Sequence, residues 1–89
     1  MKSFIALDDN GKKFTVIPEP RDILVTYEYE MVERELVFVL INGFSYSTDY
    51  GLKNVKQLMD YIGYELVSNY DVEDEGCRYA AMLFRLKAI

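Results

Sequence analysis

One stretch of the chain, Asn54 to Ser68, constrains the fold more than any other. Its apolar residues recur at the i, i+3, i+4 and i+7 spacing that places side chains on one face of a helix. These residues are Val55, Leu58, Met59 and Ile62. Gly63 follows at the position where many helices end in a left-handed residue, and Tyr64 to Tyr70 reads as a strand. The pattern predicts one amphipathic helix that packs on a β-sheet formed by most of the remaining chain.

The start of this helix has two candidate caps. Asn54, with Gln57 three residues later, resembles a capping box, in which both side chains bond free backbone N–H groups. Asp49 is a competing cap one turn earlier. The sequence therefore leaves the first helical residue open over several positions.

The N-terminal segment reads as a β-hairpin. Two short apolar-rich runs, Ser3 to Asp8 and Lys12 to Ile17, flank the dipeptide Asn10-Gly11. Asn-Gly between strands is typical of a tight hairpin turn, because both turn positions need positive φ. Pro18 and Pro20 then end the ladder, since proline has no backbone N–H to donate.

The next segment predicts three consecutive strands. Ile23 to Glu30 alternates, with Ile23, Val25, Tyr27 and Tyr29 on one face. Residues 32–35 form either a turn or part of one long bent strand. Leu36 to Ile41 is apolar on both faces, which favours a central strand, and Asn42-Gly43 predicts a second hairpin turn before a strand from Phe44 to Thr48.

The C-terminal segment completes the predicted fold. A charged turn over Val72 to Gly76 separates the strand at Tyr64 from a last strand, Cys77 to Lys87, which is apolar on both faces. The expected class is α+β. A mostly antiparallel sheet is built from a β-hairpin, a three-strand meander and a final β-hairpin, with a single helix on one face. Residues 1–89 form one domain.

Charge and composition exclude several classes of partner. The formal net charge is −5 and the isoelectric point is about 4.6, so nucleic acid and anionic lipid repel the chain in generic contacts. No apolar run approaches the length of a membrane span. The single cysteine, Cys77, cannot form an internal disulfide, which fits a reducing cytoplasm. We expect no direct nucleic-acid binding, no membrane association and a cytoplasmic location.

Three segments resemble a family of small uncharacterised bacterial and phage domains. In that family a Leu-rich helix, a Gly and the string Trp-Glu-Leu-Val-Ser precede a turn and a strand that ends Phe-Lys-Arg. This chain has Tyr64-Glu65-Leu66-Val67-Ser68 after Gly63, and Phe84-Arg85-Leu86-Lys87 near its end. Thr26-Tyr27-Glu28-Tyr29-Glu30 is similar to the family's opening strand. Tyr64 replaces the Trp, and the last strand departs from Phe-Lys-Arg. The resemblance covers about the second half of the chain and implies the fold and a bacterial or phage source.

No motif in the sequence equips the chain for catalysis. There is no histidine, which removes the commonest general base and metal ligand. No glycine-rich phosphate-binding motif is present. The carboxylates between Asp71 and Glu75 do not have the spacing of a Ca²⁺ loop and are expected to be solvated. We expect no catalytic residue, no cofactor and no metal site.

The remaining sequence features, a glutamate cluster and a high tyrosine content, favour a binding function. Carboxylates concentrate at Glu28, Glu30, Glu33 and Glu35, and eight tyrosines are many for this length. Among the tyrosines, we expect Tyr46, Tyr50 and Tyr61 to be exposed, and Tyr is favoured in protein interfaces. The leading hypothesis is a non-enzymatic protein-interaction module, an acidic accessory or inhibitor protein that docks these residues on a basic partner surface.

Two further hypotheses are open. A small-ligand site for a nucleotide or metabolite would lie between helix and sheet, lined by tyrosines and closed by the loop Tyr50 to Lys53. A symmetric homodimer would pair an open edge of the sheet with that of a second copy.

Overall fold

In a computed structural model, which describes residues 3–30, 32–33 and 35–88, the chain folds into seven strands and one α-helix. A short 3₁₀ turn over Thr48–Tyr50 precedes the helix, which we name α1. The element bounds are β1 Phe4–Leu7, β2 Lys13–Val16, β3 Ile23–Glu30, β4 Glu35–Ile41, β5 Phe44–Tyr46, α1 Gly51–Tyr61, β6 Tyr64–Asp74 and β7 Cys77–Leu86.

All seven strands belong to one sheet, in the order β2-β1-β6-β7-β3-β4-β5, and neighbouring strands are antiparallel. The predicted α+β class, with a mostly antiparallel sheet and one helix, is confirmed. The sequence did not indicate where the last two strands would lie. They occupy the middle of the sheet, where β6 pairs with β1 and β7 pairs with β3.

Helix α1 packs on one face of this sheet, which we call the helix side. Val55 and Met59 are buried against Val25, Met82 and other side chains of the sheet. Gly63 has φ 88°, as expected for a residue that ends a helix. The predicted apolar stripe is narrower than the sequence indicates, because Leu58 and Ile62 remain 37% and 44% exposed.

Neither predicted cap begins α1. Tyr50 occupies the N-cap position and makes no side-chain cap bond. Asp49 lies in the 3₁₀ turn, where its backbone N–H donates to Ser47 Oγ at 3.3 Å. Asn54 is inside the helix, and its Oδ1 accepts a hydrogen bond from Tyr46 Oη at 2.8 Å. The helix starts early because the 3₁₀ turn leads directly into it, so that Gly51 is already its first residue.

The turns agree with the sequence in part. Asn42 and Gly43 have φ 50° and 84°, so this hairpin turn is as predicted. At Asn10-Gly11 only Gly11 has positive φ, and the turn is wider, because Asp8 Oδ1 accepts from the N–H groups of Asn10 and Lys12. The predicted charged turn over 72–76 is mostly strand, since β6 continues to Asp74.

The opposite face of the sheet has its own small core. Ala6, Val16 and Leu83 are buried together there. The connection between β2 and β3 is fixed at its end by Asp22, which accepts two hydrogen bonds from Arg85 at 3.0 and 2.9 Å. Strand β7, which the sequence shows to be apolar on both faces, is buried on both faces from Ala81 to Phe84, whereas Cys77, Arg78 and Leu86 at its ends are exposed.

Candidate functional site

The helix side of the sheet is open beyond α1, and this opening forms a concave surface. Register pairs link Leu7 to Asp71, Asp71 to Ala80, and Ala80 to Tyr27, so these four residues form one continuous cross-strand row. The next row, Val25 opposite Met82, is already buried at the helix cluster. The first row lines an open groove of about 540 Å³, which we call the acidic groove.

The lining of the acidic groove is strongly unbalanced in charge. Four carboxylates line it, from Asp8, Asp9, Glu28 and Asp71, whereas Arg78 is the one cationic side chain among its lining residues in the described part of the chain. Ala80 has the smallest side chain of the central row, and Tyr27 and Tyr29 supply aromatic surface. Carboxylates beside aromatic rings favour a guanidinium or ammonium group, through charge-assisted hydrogen bonds and cation–π contact.

Tyr27 shows how burial and charge act together in this groove. Burial raises the pKa of the Tyr27 hydroxyl, and the negative charge of Asp71 raises this pKa further. Both effects disfavour the phenolate. The hydroxyl therefore stays protonated at neutral pH and is available as a hydrogen-bond donor or acceptor at the edge of the groove.

Glu28 lines the same groove as Tyr27, although simple alternation along β3 places the two side chains on opposite faces. The pairing of β3 with β4 shifts register between Glu28 and Tyr29, with Val37 as the extra residue. A bulge of this kind increases the local twist of the ribbon. This irregularity accompanies the convergence of residues from both faces at one groove.

The other predicted carboxylates have different roles. Glu30 and Glu35 are opposite each other at the end of the β3–β4 ribbon. The carboxylate of Glu30 accepts hydrogen bonds from the backbone N–H groups of Val32 and Glu33, so it stabilises the turn. Glu33 is exposed in that turn.

A second open groove, of about 610 Å³, lies where the 3₁₀ turn meets α1. We call it the helix-end groove. Glu35 and Tyr50 line it together with Tyr29, Leu36 and Leu52. Residues 50–53, predicted as a closing loop, are instead the end of the 3₁₀ turn and the first turn of α1. They form a fixed wall of the groove.

The two remaining tyrosines of the predicted set are separated from both grooves. Tyr46 is half-buried, packs against the helix-side core and bonds Asn54, so the structure differs from the expected exposure. Tyr61 is 88% exposed on α1 and lines neither groove. The structure therefore divides the predicted binding residues between two grooves, a turn, the core boundary and the helix surface.

Several acidic-groove residues were missed as binding residues by sequence reasoning. The sequence predicts a solvated position for Asp71 and a place on one strand face for Tyr27, while Asp8 and Asp9 carry no signal. Their convergence depends on the pairing of β1 with β6 and of β7 with β3. A pattern of acidic and tyrosine residues at the ends of neighbouring strands is the one signal that points to it.

The described residues contain neither a metal-binding cluster nor a membrane-spanning helix. Within residues 3–30, 32–33 and 35–88, no group of three or more Cys, Asp or Glu side chains is arranged to hold a metal ion. In the same part of the chain, no helix has the length and apolar character needed to cross a bilayer.

Comparisons with known proteins complete the description of the site. No family model matches the chain, and neither the curated proteins nor the solved structures contain a match.

Proposed function

We propose that this chain is a non-enzymatic protein-interaction module that docks on a basic surface of a partner protein. The acidic groove carries the proposal, because it combines concavity, aromatic walls and four carboxylates with a single cation among its described lining residues. A Lys or Arg side chain of the partner would enter beside Tyr27 and Asp71. The net charge of −5 would also speed encounter with a basic surface.

The docking surface proposed here differs from the four glutamates considered from sequence. Glu28 remains in it as a lining residue of the groove. Glu30 does not, since its carboxylate already accepts two backbone hydrogen bonds. Replacing Glu30 by Lys would disturb the turn and would confuse loss of docking with loss of structure. The groove carboxylates therefore make the better test.

The test uses a capped peptide of alternating Arg and Ser, with a second peptide in which neutral citrulline replaces each Arg. Fluorescence anisotropy measures binding to the native chain, to Asp71→Lys and to Glu65→Lys. Glu65 is an exposed residue of the same strand outside the acidic groove, so both variants change the net charge equally. We expect Asp71→Lys to weaken Arg-peptide binding about tenfold, the effect of losing one charged contact of about 1.4 kcal/mol.

The control should change binding much less, and the citrulline peptide should bind only weakly. If both variants lost the same affinity for the Arg peptide, the loss would come from the change in net charge. The acidic groove would then not be the docking site. Equal binding of the two peptides would exclude recognition of a cation.

The helix-end groove supports a second candidate function, the binding of a nucleotide or other small metabolite. Its volume of about 610 Å³ lies in the range of small-molecule sites, and Tyr29 and Tyr50 provide stacking surface. A thermal-shift screen discriminates the two functions, because a ligand that binds the folded state raises the melting temperature. A rise that is lost in Tyr50→Ala would favour this candidate, and no rise across the screen would exclude the compounds tested.

A further inference from the structure

Three of the open strand edges in the described part of the sheet are not equivalent. The edges belong to β2, to β5 and to the first part of β6, since β1 pairs with β6 only at Asp71 and Val72. Unpaired edges attract other strands, and proteins commonly protect them with charges or bulges. The differences between these edges indicate which one is open to a partner.

Two of the three edges are protected. Strand β2 begins at Lys13, directly after Lys12, and edge lysines oppose pairing with another strand. The open part of β6 carries a register shift between Leu66 and Ser68, with Val67 as the extra residue. A bulge interrupts the regular row of backbone groups that a new strand would need.

Strand β5 has neither a charge nor a bulge, and its only protection is its short length of three residues. Residues 42–48 contain no charged side chain, and β5 pairs with β4 without a register shift. Phe44 and Tyr46 share the helix side of the sheet, opposite Ile41 and Val39. Phe44 is 79% exposed. The edge therefore offers regular backbone groups beside an uncovered aromatic ring.

Helix α1 extends this apolar surface. The hydrogen bond from Tyr46 to Asn54 shows that the Asn54 flank of the helix faces β5. Leu58 follows Asn54 by four residues, so it lies along the same flank of the helix, and it is 37% exposed. Ile62 follows the last helical residue and leads into β6 in the middle of the sheet, so it is not part of this surface. The exposed apolar side chains on the β5 side are therefore Phe44 and Leu58.

We propose that a second copy of this chain covers this surface, by antiparallel pairing of the two β5 strands about a twofold axis at Ser45. This register is self-complementary. Phe44 of each copy would be opposite Tyr46 of the other, which gives two aromatic cross-strand pairs. No charged residue lies within the paired strands, so no like charges meet there.

The dimer is distinct from the proposed docking function. The acidic groove is lined by residues of β1, β3, β6 and β7, whereas β5 is at the far edge of the sheet. Pairing through β5 would leave both acidic grooves free, and a dimer would present two of them. Either proposal can therefore fail without the other.

Light scattering after size exclusion, from micromolar to millimolar concentration, tests the assembly. We expect a concentration-dependent rise from the monomer mass of 10.4 kDa to twice that value. Ser45→Lys should keep the chain monomeric, because it places two like charges opposite each other at the axis. Thr15→Lys is the matched control on the β2 edge and should leave dimerisation unchanged. Circular dichroism confirms that both variants fold.

A cysteine cross-link tests the register. In a Cys77→Ser background, Ser45→Cys brings two thiols together, since directly opposite residues have Cα atoms about 4.5–5.5 Å apart, within disulfide range. Mild oxidation should give a covalent dimer rapidly, and Thr15→Cys in the same background should not. A native chain that is monomeric throughout, or a dimer that survives Ser45→Lys, would overturn the proposal. If the dimer formed through the β2 edge instead, Thr15→Lys would abolish it.

Discussion

The helix side of the sheet consists of two halves that share the same strands but have opposite character. In one half, α1 covers Val25, Met82 and Phe84, and these residues are buried. In the other half, Tyr27, Ala80 and Asp71 are neighbours across three strands and line an open groove. Strand β7 has 10 residues and spans about 33 Å. Helix α1 has 11 residues and spans only about 16 Å.

A single short helix therefore covers about half of the face, and the sequence of the strands changes where the cover ends. Along β7, Phe84 and Met82 give way to Ala80 and Arg78. Along β6, Asp71 and Glu73 occupy the corresponding positions. The comparison shows that on the helix side of β6 and β7 the apolar residues are buried where α1 reaches, while the uncovered half carries acidic and hydroxyl-bearing side chains suited to binding.

The carboxylates of the two halves also differ in their burial. Asp22, near the covered end of β7, is 3% exposed and accepts two hydrogen bonds from Arg85. These bonds are the largest cause that holds its pKa below the usual value of 3.8. Asp71, in the uncovered half, is exposed to solvent. One carboxylate is thus committed to the fold, and the other is free to meet a ligand.

The largest expected effect is on the covered half. Met59→Ala should lower the free energy of unfolding by about 2–4 kcal/mol, because it removes a buried side chain and leaves a cavity. Leu58→Ala is the matched control and should cost only about 1 kcal/mol, since Leu58 is 37% exposed. Urea unfolding of dilute protein measures both. Similar losses in the two variants would contradict the assignment of Met59 to the main core.

A smaller effect is expected from the buried carboxylate. Asp22→Ala should destabilise the fold at neutral pH by about 2 kcal/mol, from the loss of charge-assisted hydrogen bonds. Since the folded pKa of Asp22 is lowered, its stabilisation is present above the ordinary value of 3.8 and is lost as the pH falls through the folded pKa. The difference between native and variant chains should therefore narrow in urea titrations below pH 3.8.

Glu19→Ala provides the control for Asp22. The Glu19 side chain is 64% exposed and lies 3.4 Å from Arg85 Nε, an exposed ion pair of small expected value. Its replacement should change stability by less than about 1 kcal/mol at any of these pH values. An effect of Glu19→Ala as large as that of Asp22→Ala would remove the distinction between the buried and the exposed carboxylate.

Features of this fold that depend on neighbouring residues were predictable from the sequence. Contacts between residues far apart in the sequence were not. Strand β3 has the bounds that its alternation indicates, and the Asn42-Gly43 turn has the positive φ values that the dipeptide favours. Both signals depend only on neighbouring residues. The start of α1 was missed because a 3₁₀ turn, which has no strong sequence pattern, leads into it.

The site was less predictable because it depends on register between distant strands. Leu7 meets Asp71, and Tyr27 meets Ala80, only because the last hairpin inserts between β1 and β3. Tyr46 lies near an exposed loop in the sequence, yet its hydroxyl bonds Asn54, and its ring packs at the core. Charge clusters in the sequence therefore identified the acidic character of the surface but not the groove.

The smallest expected effect concerns the pKa values of two tyrosines in the uncovered half. Burial is the main cause that raises the pKa of both Tyr27 and Tyr79, with added contributions from Asp71 and Asp74 respectively. Tyr27→Phe should change stability by less than about 1 kcal/mol but remove one tyrosine from the last phase of a spectrophotometric titration. Since the folded pKa is raised, the contribution of Tyr27 to stability persists below its ordinary value of 10.0 and is lost as the pH rises through the folded pKa.

Two matched substitutions assign these pKa values to their causes. Asp71→Asn should lower the pKa of Tyr27 slightly and leave that of Tyr79 unchanged, while Asp74→Asn should do the reverse. The shifts should be small, because burial remains in both variants. If Asp71→Asn moved both tyrosines equally, the carboxylate would act through the overall charge of the protein. Its effect on Tyr27 alone would show that the two groups share one local environment in the acidic groove, where a cationic side chain would be expected to bind.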